Sequence, residues 1–424
     1  MKKSKYIILS VLSAMALTSC SLFKDDDIVV ENHFNEKGQT VEEKEAEAKI
    51  GDVESQRLDD VPNTLVFKNI VYSNMEGNKI KNTYKTAAPY NFKYDVNGGE
   101  DYAVDKNNNN FDLYVPDSVS KSNDINVVLF IHGGAWVSGL KTHVNPYVKK
   151  FAAEGYIAAT IEYTLLNQAM DDDSLSVFRD LDEIDACITT MKESLKSLGF
   201  NESKLHLVLG GASSGAHLAM LYAYSRGAAS DIPLKFLIDV VGPTDIKESV
   251  WKKFKNADDR AEDDALYYNS AKQAVGNLDT LQVAGQTYFW NEYQTMRIAN
   301  GMCGLPFSLT DVEAAARNDE TEADHDSDVY KSIVGDTTSG ENLLSVTHYM
   351  TAGNKLPMLC AYAGNDPVVG VHQFATLQAK MEDPGIDAEY EFFYFKDCNH
   401  TNLDTDTTTY NEFIAKILNW MATK

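Results

Sequence analysis

The sequence is poor in cysteine and in basic residues. None of the 5 Cys stands in a C-x-x-C frame and no metal-ligand spacing is present, so neither a metal nor an organic cofactor is expected. At Cys360 and Cys398, placed at the ends of predicted neighbouring strands, we expect buried free thiols, with a disulfide as the alternative. With 38 Lys and Arg against 63 Asp and Glu, the formal net charge is -25. Such a surface repels a phosphate backbone, which excludes nucleic acid as the expected partner.

The N-terminal residues have the layout of an export signal. A lysine-rich leader precedes the apolar run 6–17, which is too short to span a bilayer but has the length of a secretory h-region. The run closes on Leu17-Thr18-Ser19-Cys20, which resembles the lipobox of bacterial lipoproteins, whose cysteine becomes the lipid-modified N-terminus. The sequence therefore predicts a signal peptide over residues 1–19 and lipid attachment at Cys20. An ordinary signal peptide with a chance cysteine is the alternative.

A charged segment follows this cysteine. It contains Lys24-Asp25-Asp26-Asp27, which is similar to the acidic export tags that carry some Gram-negative lipoproteins to the cell surface. Up to about Asp60 the segment has too few large apolar residues to offset the entropy of ordering it, so we predict a tether over residues 20–60. A short solvated helix is the alternative for its Glu/Lys/Ala portion. We expect a protein of the cell envelope, held at the outer membrane by its lipid alone.

Strands alternate with helices beyond the tether. In the first strands apolar and polar residues alternate with period 2, as expected of antiparallel, half-exposed strands. Later strands are continuously apolar and are separated by helical spacings, which implies a mostly parallel sheet with helices on both faces. The predicted strands are 63–72, 90–96, 111–116, 125–131, 156–161, 205–209, 236–241, 358–362 and 389–395, and the predicted helices are 147–153, 178–198, 374–381 and 408–421.

One segment interrupts this alternation. Between Asp245 and Leu356 the aromatic residues are scattered and no sheet strand is evident, over a length too great for a plain connection. We predict a mainly helical cap over about residues 246–355, placed over the carboxyl ends of the strands and inserted into one domain spanning 61–424. Its aromatic residues would line a substrate cleft or form the cap's own small core: Trp251, Phe254, Tyr267, Tyr268, Tyr288, Phe289, Trp290 and Tyr293.

The central motif joins an apolar strand, a glycine-flanked serine and a helix. Gly211-x-Ser213-x-Gly215 has the nucleophile-elbow spacing, and only glycine-sized neighbours permit the close backbone approach of such a turn. The helix that follows directs free amides and its positive dipole end at an anion beside the serine. Ser213 is the predicted nucleophile because it has glycines two residues before and two residues after it, whereas the neighbouring Ser214 does not.

An activated serine also needs a base and a group that orients the base. Asp366 and His400 each follow an apolar strand, so a carboxylate at one strand end and an imidazole at the next can converge on Ser213. The order Ser, Asp, His along the chain suits such a sheet. We predict Asp366 as the orienting acid and His400 as the base.

Donors for the oxyanion are predicted in a glycine loop. His132-Gly133-Gly134-Ala135-Trp136 follows another apolar strand, and its two glycines leave backbone amides uncovered. We predict an oxyanion hole formed by the amides of Gly133, Gly134 and Ser214. His132 itself is expected to brace the loop.

Together these motifs resemble α/β-hydrolase-fold esterases of the carboxylesterase and hormone-sensitive-lipase-like kind, over about residues 111–420. The segment 132–136 matches that group's oxyanion loop, 211–219 matches its elbow, and Glu162-Tyr163 stands where the group has a tyrosine after a strand. The resemblance implies an α/β-hydrolase fold with an inserted helical cap, and it carries the family's acid and base onto Asp366 and His400.

The resulting hypothesis is a serine carboxylic-ester hydrolase that forms an acyl-enzyme on Ser213. The expected substrates are acetylated or feruloylated glycans or other small esters. Alternatives are a serine exopeptidase on the same fold and a non-catalytic surface lipoprotein that binds glycans or peptides. Two features depart from the family: Asn399 precedes the histidine where a small residue is common, and the cap is longer than in minimal members.

Other polar groups are predicted to be structural. His217, one helical turn past the elbow, is expected to pack or to brace the helix. Asp324 to Asp328 alternates carboxylates like a calcium loop but lacks that loop's glycine and glutamate, so a solvated acidic loop is expected. Four carboxylates are expected on the exposed side of the predicted helix 178–198, namely Asp180, Asp182, Glu183 and Asp185.

Overall fold

The computed structural model describes residues 47–73, 79–83, 101–166, 175–247, 281–283, 286–288, 292–316, 323–335, 339–366 and 368–424. The predicted signal peptide and Cys20 lie outside the described residues, as does the predicted strand 90–96. Six of the cap aromatics also lie outside the described residues, namely Trp251, Phe254, Tyr267, Tyr268, Phe289 and Trp290. For Tyr288 and Tyr293 the backbone is described but the side chain is not. Within these ranges, no helix combines the length and the apolar character needed to cross a membrane.

The strands are β1 (Lys49–Ile50), β2 (Val53–Leu58), β3 (Val61–Val71), β4 (Lys79–Ile80), β5 (Tyr102–Ala103), β6 (Asn110–Pro116), β7 (Ile125–Ile131), β8 (Ile157–Glu162), β9 (Leu205–Ala212), β10 (Leu234–Val240), β11 (Leu281–Val283), β12 (Gln286–Tyr288), β13 (Met358–Ala363) and β14 (Tyr390–Phe395). The α-helices are α1 (Asn145–Ala153), α2 (Val177–Ser197), α3 (Ser214–Ser225), α4 (Glu292–Cys303), α5 (Leu309–Ala315), α6 (Asp328–Tyr330), α7 (Gly340–Leu344), α8 (Val346–Tyr349), α9 (His372–Met381) and α10 (Thr407–Thr423). Every strand and helix predicted within the described residues is present, with its ends shifted by a few residues.

A 10-stranded sheet organises the fold, in the order β1-β2-β3-β6-β8-β7-β9-β10-β13-β14. From β8 to β14 all neighbours are parallel, whereas β1, β2, β3 and β6 pair antiparallel. The predicted mostly parallel sheet is therefore confirmed. Because parallel strands end at the same edge, the loops that follow β7, β9, β13 and β14 open on one side of the molecule.

Helices cover both faces of this sheet. In β7, Val127 and Leu129 pack into the core beneath α2, α3 and α9, whereas Val128 and Phe130 pack into the core beneath α1 and α10. The Phe130 ring stacks on Tyr147 of α1, with centroids 4.6 Å apart. Each such buried side chain stabilises the fold by about 1.5–3 kcal/mol, so two-sided burial holds the strand ends rigidly in place.

Two predictions about the N-terminal strands were wrong. Residues 49–58, which were predicted to be tether, form β1 and β2, and Ser55 of β2 lies opposite Phe67 of β3. The polar side chains of β2 are tolerated because the strand lies next to the two-residue edge strand β1 and none of its residues is buried. The strand β6, predicted to be half-exposed, is buried along its whole length because it lies between β3 and β8 with helices on both faces.

The described part of the predicted cap is mainly helical, as expected. It consists of helices α4 to α8 and a separate hairpin of β11 and β12. The two ends of the segment are joined: the Val346 amide donates to the Thr244 carbonyl at 2.9 Å, and the Ser345 hydroxyl donates to Asp245 at 2.8 Å. Helix α8 packs against α3, and α4 packs against α2.

The acidic run of α2 is not on the exposed side of the helix. Asp180, Asp182 and Glu183 are buried. Glu183 accepts hydrogen bonds from the amide and the hydroxyl of Thr164, each at 2.7 Å, and Asp182 forms an ion pair with Arg226. Asp180 has no hydrogen-bond partner among the described residues, and burial raises its pKa well above the ordinary value. The prediction failed because segments distant in the sequence cover this side of the helix and supply the partners Thr164 and Arg226.

The described cysteines are free thiols, as expected. All are buried, namely Cys187, Cys303, Cys360 and Cys398. Burial raises the pKa of the Cys360 thiol well above its ordinary value, which keeps it in the unreactive protonated form.

Candidate active site

Ser213 stands at the sharp turn between β9 and α3. Its backbone has φ 55° and ψ -125°, a conformation that a residue with a side chain adopts only where its surroundings impose it. The neighbouring glycines allow this turn. A Cβ at Gly211 would lie 2.4 Å from the Gly215 carbonyl carbon, and a Cβ at Gly215 would lie 2.2 Å from the Ile131 carbonyl oxygen. The elbow geometry therefore requires glycine at both places.

Three side chains from three loops meet at this turn. His400 Nε2 lies 2.9 Å from Ser213 Oγ, and His400 Nδ1 lies 2.6 Å from Asp366 Oδ2. An ionised carboxylate only accepts hydrogen bonds, so Nδ1 carries the proton and Nε2 is left to accept from the serine hydroxyl. All three side chains are buried. The arrangement offers a hydroxyl, a base for its proton and a group that sets the tautomer of the base.

The carboxylate is itself held by backbone donors. Asp366 Oδ1 accepts hydrogen bonds from the amides of Val368 at 2.7 Å and Val369 at 2.8 Å. These two bonds occupy one oxygen and turn the other towards His400. The orientation of the imidazole therefore depends on the turn that follows β13.

Asn399, which departs from the family pattern, shapes the loop that carries His400. Its backbone amide donates to Asn402 Oδ1 at 2.7 Å, and its side-chain Oδ1 accepts from the backbone amide of Thr401 at 2.9 Å. These local side-chain-to-backbone bonds form a tight turn around the histidine. An asparagine at this place is therefore compatible with the position of the imidazole.

The glycine loop after β7 lies directly against Ser213. A Cβ at Gly133 would be 2.9 Å from Ser213 Cβ, and Gly134 has a φ of 138°, which a residue with a side chain rarely adopts. Ser214 begins α3, where the first amides of a helix have no intrahelical acceptor. The loop and the start of the helix thus meet beside the serine hydroxyl.

Tyr163 and His132 support this loop. The Tyr163 hydroxyl donates to the His132 carbonyl at 3.1 Å, and the two rings stack with centroids 4.4 Å apart. Burial lowers the pKa of His132 to about 4, so its ring is neutral at pH 7. Burial raises the pKa of the neighbouring Glu162 to about 7. His132 therefore acts in the packing of the loop, as predicted.

A buried ion pair behind the loop was not predicted. Lys141 Nζ lies 2.7 Å from Asp112 Oδ1, and the Lys141 amide donates to Glu162 at 3.0 Å. A buried charge is tolerated only with such partners. The one signal in the sequence was Asp112, a carboxylate within the otherwise apolar segment Phe111-Asp112-Leu113-Tyr114-Val115.

A second buried carboxylate lies under the site and was also missed. Asp239 in β10 accepts from the Tyr362 hydroxyl at 2.6 Å and from the Gly242 amide at 2.9 Å. Burial raises its pKa to about 7. These bonds connect the end of β10 to β13, the strand that leads to Asp366. A single polar residue in an apolar strand was again the only hint.

The acidic stretch from Asp324 forms a capped turn. The Asp326 amide donates to Asp324 Oδ1 at 3.2 Å, and Ser327 Oγ accepts from the Tyr330 amide at 3.1 Å, which caps α6. Throughout the described ranges, no group of 3 or more His, Cys, Asp or Glu side chains is placed to hold a metal ion.

The parallel sheet, its helical faces and the elbow serine define an α/β-hydrolase fold. Residues 111–302 match the family model BD-FAE, an esterase-type α/β-hydrolase domain. The predicted resemblance to α/β-hydrolase-fold esterases is therefore confirmed over this part of the chain.

Curated relatives align over part of the chain. A probable isoprenylcysteine alpha-carbonyl methylesterase ICME of Oryza sativa subsp. japonica is 32% identical over 115 residues, which cover 27% of this chain and 25% of that protein. The non-reducing polyketide synthase atr1 of Stereocaulon alpinum is 26% identical over 141 residues, which cover 32% of this chain and 5% of that protein. The chain thus spans a minor part of the length of both relatives.

Two solved structures of esterases align with 74% of the chain. An inhibited esterase B from Lactobacillus rhamnosis has a TM-score of 0.46 at 15% identity and covers 74% of this chain and 82% of its own. A truncated carbohydrate esterase from gut microbiota has a TM-score of 0.47 at 13% identity and covers 74% of this chain and 91% of its own.

Proposed function

We propose that this protein hydrolyses carboxylic esters through an acyl-enzyme on Ser213. The observation that carries the proposal is the chain of hydrogen bonds from Ser213 through His400 to Asp366, at 2.9 Å and 2.6 Å. Its position at an elbow with φ 55°, on an esterase-type domain, supports the same function. Hydrolases of this kind use such an arrangement to activate a hydroxyl that is otherwise a weak nucleophile.

In the acylation step, Ser213 Oγ attacks the ester carbonyl carbon. His400 Nε2 accepts the hydroxyl proton as the carbon–oxygen bond forms, and Asp366 stabilises the resulting imidazolium through Nδ1. The imidazolium then gives this proton to the departing alcohol oxygen, which breaks the ester bond. Water repeats the sequence on the acyl-enzyme and releases the acid.

The tetrahedral intermediate requires donors for its oxyanion. Gly133 brings bare backbone next to Ser213, Gly134 follows it in the same loop, and the Ser214 amide stands at the N-terminus of α3. We assign the three amides of these residues to the oxyanion hole. Loss of one such donor typically lowers kcat by about 100- to 1,000-fold.

A fluorophosphonate probe and two substrate panels test the proposal. The parent protein should be labelled at Ser213 and should hydrolyse p-nitrophenyl acetate. The Ser213→Ala variant should be neither labelled nor active. Ser214→Ala, which changes the neighbouring hydroxyl, is the matched control and should still be labelled. Hydrolysis of aminoacyl anilides in preference to esters would favour a serine exopeptidase. Ligand binding by a parent protein that resists the probe would favour a binding lipoprotein.

The natural alcohol is proposed to be part of a glycan, with acetyl or feruloyl as the acyl group. The support is the predicted attachment of the protein to the outer membrane through Cys20, which would place the domain where polysaccharide fragments pass. The rate at which acetate or ferulate is released from esterified xylan should exceed the rate at which fatty acid is released from triglycerides. A Cys20→Ser variant should move from the membrane fraction to the soluble fraction, with its specific activity unchanged.

A further inference from the structure

His217 is placed where the nucleophile helix, the glycine loop and the inserted segment meet. It lies on α3 one turn after Ser213, and its backbone amide donates to the Ser213 carbonyl at 3.1 Å. The side chain is fully buried. Its ring is therefore fixed relative to the serine by the helix itself.

Both ring nitrogens of His217 have partners on other elements. Nδ1 lies 3.2 Å from Trp136 Nε1, and Nε2 lies 2.8 Å from the Leu344 carbonyl oxygen. An indole nitrogen can only donate, so Nδ1 must be the unprotonated acceptor and Nε2–H must donate to the carbonyl. The two contacts thus select one neutral tautomer. Burial lowers the pKa of His217 to about 4, which agrees with a neutral ring at pH 7.

The contact on the loop side holds a strained segment. Ala135 and Trp136 have φ of 52° and 63°, values that cost residues with side chains free energy unless tertiary contacts impose them. The Trp136 indole is nearly perpendicular to the His217 ring, at 88°, with centroids 5.3 Å apart. Trp136 is two residues from Gly134, the second of the glycines assigned to the oxyanion hole, so movement of its indole would move their amides.

The contact on the other side involves the inserted segment. Leu344 is the last residue of α7, and its carbonyl is one of those that a helix leaves without an intrahelical donor. The following Ser345 is bonded to Asp245 at the start of the insertion. His217 therefore joins a helix end of the insertion to the glycine loop through a single ring.

We propose that His217 is a positioning residue for the oxyanion hole, which it aligns through Trp136 while anchored on the inserted segment at Leu344. This inference rests on the proposed esterase function. His217 touches neither the Ser213 hydroxyl nor the reacting carbonyl in this role. Its effect should therefore appear in stabilisation of the transition state and not in substrate binding.

Two single variants and their combination test the role. Trp136→Phe removes the indole donor and keeps the bond to Leu344, and His217→Phe removes both bonds while keeping a ring of similar shape. Each should lower kcat about 10- to 100-fold with KM changed by less than about twofold, because displacing a catalytic group by about 1 Å can cost 100-fold. The double variant should be no slower than His217→Phe, since both changes break the same connection.

A trifluoromethyl ketone, whose hemiketal oxyanion occupies the hole, supplies a second readout. Its Ki should rise by the same factor as kcat/KM falls, which a merely structural loss of stability would not produce. His206→Gln is the matched control: this half-buried histidine of β9 faces the surface near Asp124 and should leave kcat, KM and Ki unchanged. If His217→Phe does not fold, Trp136→Phe decides alone.

Three results would overturn the inference. They are a folded Trp136→Phe variant with the parent kcat, a rise in KM alone, and losses that add fully in the double variant. Failure of the parent protein to hydrolyse any ester would instead refute the proposed function. The two failures are thus separate.

Discussion

Gly133 lies so close to Ser213 that a Cβ on the glycine would stand 2.9 Å from the serine Cβ. The same added carbon would stand 2.7 Å from the Ala212 carbonyl oxygen. The first atom is the Cβ of Ser213 and the second is a backbone oxygen, and neither can rotate away to make room. The proposed oxyanion loop and the nucleophile turn are therefore in close contact.

Replacement of Gly133 by alanine should push the glycine loop away from Ser213. We expect kcat for p-nitrophenyl acetate to fall by about 100-fold or more, which is the effect of losing an oxyanion donor. Steady-state kinetics measure the change. Gly353→Ala is the control, because a Cβ there would meet only the Thr351 hydroxyl, at 3.9 Å. Equal activity of the two variants would contradict the placement of the loop in the site.

Replacement of Asp366 by asparagine should disable His400 while leaving the fold intact. The amide can present an N–H to Nδ1, which favours the tautomer with the proton on Nε2 and removes the acceptor for the serine hydroxyl. Triads of this type lose roughly 10,000-fold in kcat on such a change. The exposed Asp124→Asn serves as the control, measured in the same assay. Retention of more than a tenth of the parent rate would argue against Asp366 as the orienting acid.

Replacement of Asn399 should reveal how much the turn around His400 contributes. Asn399→Ala loses the acceptor for Thr401 and should lower kcat about fivefold, the kinetic equivalent of roughly 1 kcal/mol from one hydrogen bond. Asn399→Asp keeps an acceptor at the same place and should retain most of the rate. Loss of activity in the aspartate variant and not in the alanine variant would contradict the role of the Oδ1 acceptor in positioning His400.

The buried Asp239 should make folding stability depend on pH. Burial raises its pKa to about 7 in the folded state, whereas an unfolded aspartate titrates near 3.9. Between about pH 4 and pH 7 the folded protein holds a proton that the unfolded chain has released, so the contribution of this group to stability falls as pH rises through that window. Below pH 4 and above pH 7 the contribution is constant.

Asp239→Asn removes this dependence. The unfolding free energy of the variant, minus that of the parent, should rise by on the order of 4 kcal/mol from pH 4 to pH 7 and then stay level. Urea unfolding at several pH values measures it, and other titrating groups cancel in the difference. A difference that does not vary with pH would show that Asp239 does not titrate in this range.

Gln373 should stabilise the base of the inserted segment. Its Oε1 accepts from the amides of Thr244 at 2.8 Å and Asp245 at 2.9 Å, and its Nε2 donates to the Asp245 carbonyl at 3.0 Å. Gln373→Leu leaves these buried groups unpaired and should cost roughly 3 kcal/mol of unfolding free energy. Gln378→Leu, on the same helix but near the surface, should cost much less. Equal losses would contradict the role of the buried network.

The local pattern of apolar residues and glycines predicted much of the fold. The continuous apolar run of β7 predicted a strand because a strand that is buried on both faces has apolar residues throughout. The apolar spacing of α2 predicted a helix because a helix buried along one side repeats its apolar residues every three or four positions. The elbow was recognisable for a related reason. Its glycines are required by backbone contacts within a few residues, as Gly211 and Gly215 show.

Features that depend on distant partners left no such trace. The carboxylate of Glu183 looked like a solvated group because its partner Thr164 belongs to another segment. The strand β2 looked like tether because none of its residues is buried, which permits polar side chains. The pairing of Lys141 with Asp112 was hidden in the same way.

The sequence by itself determined the order of strands and helices, the strained serine turn and the candidate residues Ser213, Asp366 and His400. Tertiary structure alone decided that an imidazole 187 positions away approaches the serine within 2.9 Å, and that His217 joins the glycine loop to the inserted segment. The reason is physical: periodicity and backbone sterics act between neighbours along the chain, whereas hydrogen-bond partners and burial are set only when the sheet brings its strand ends together.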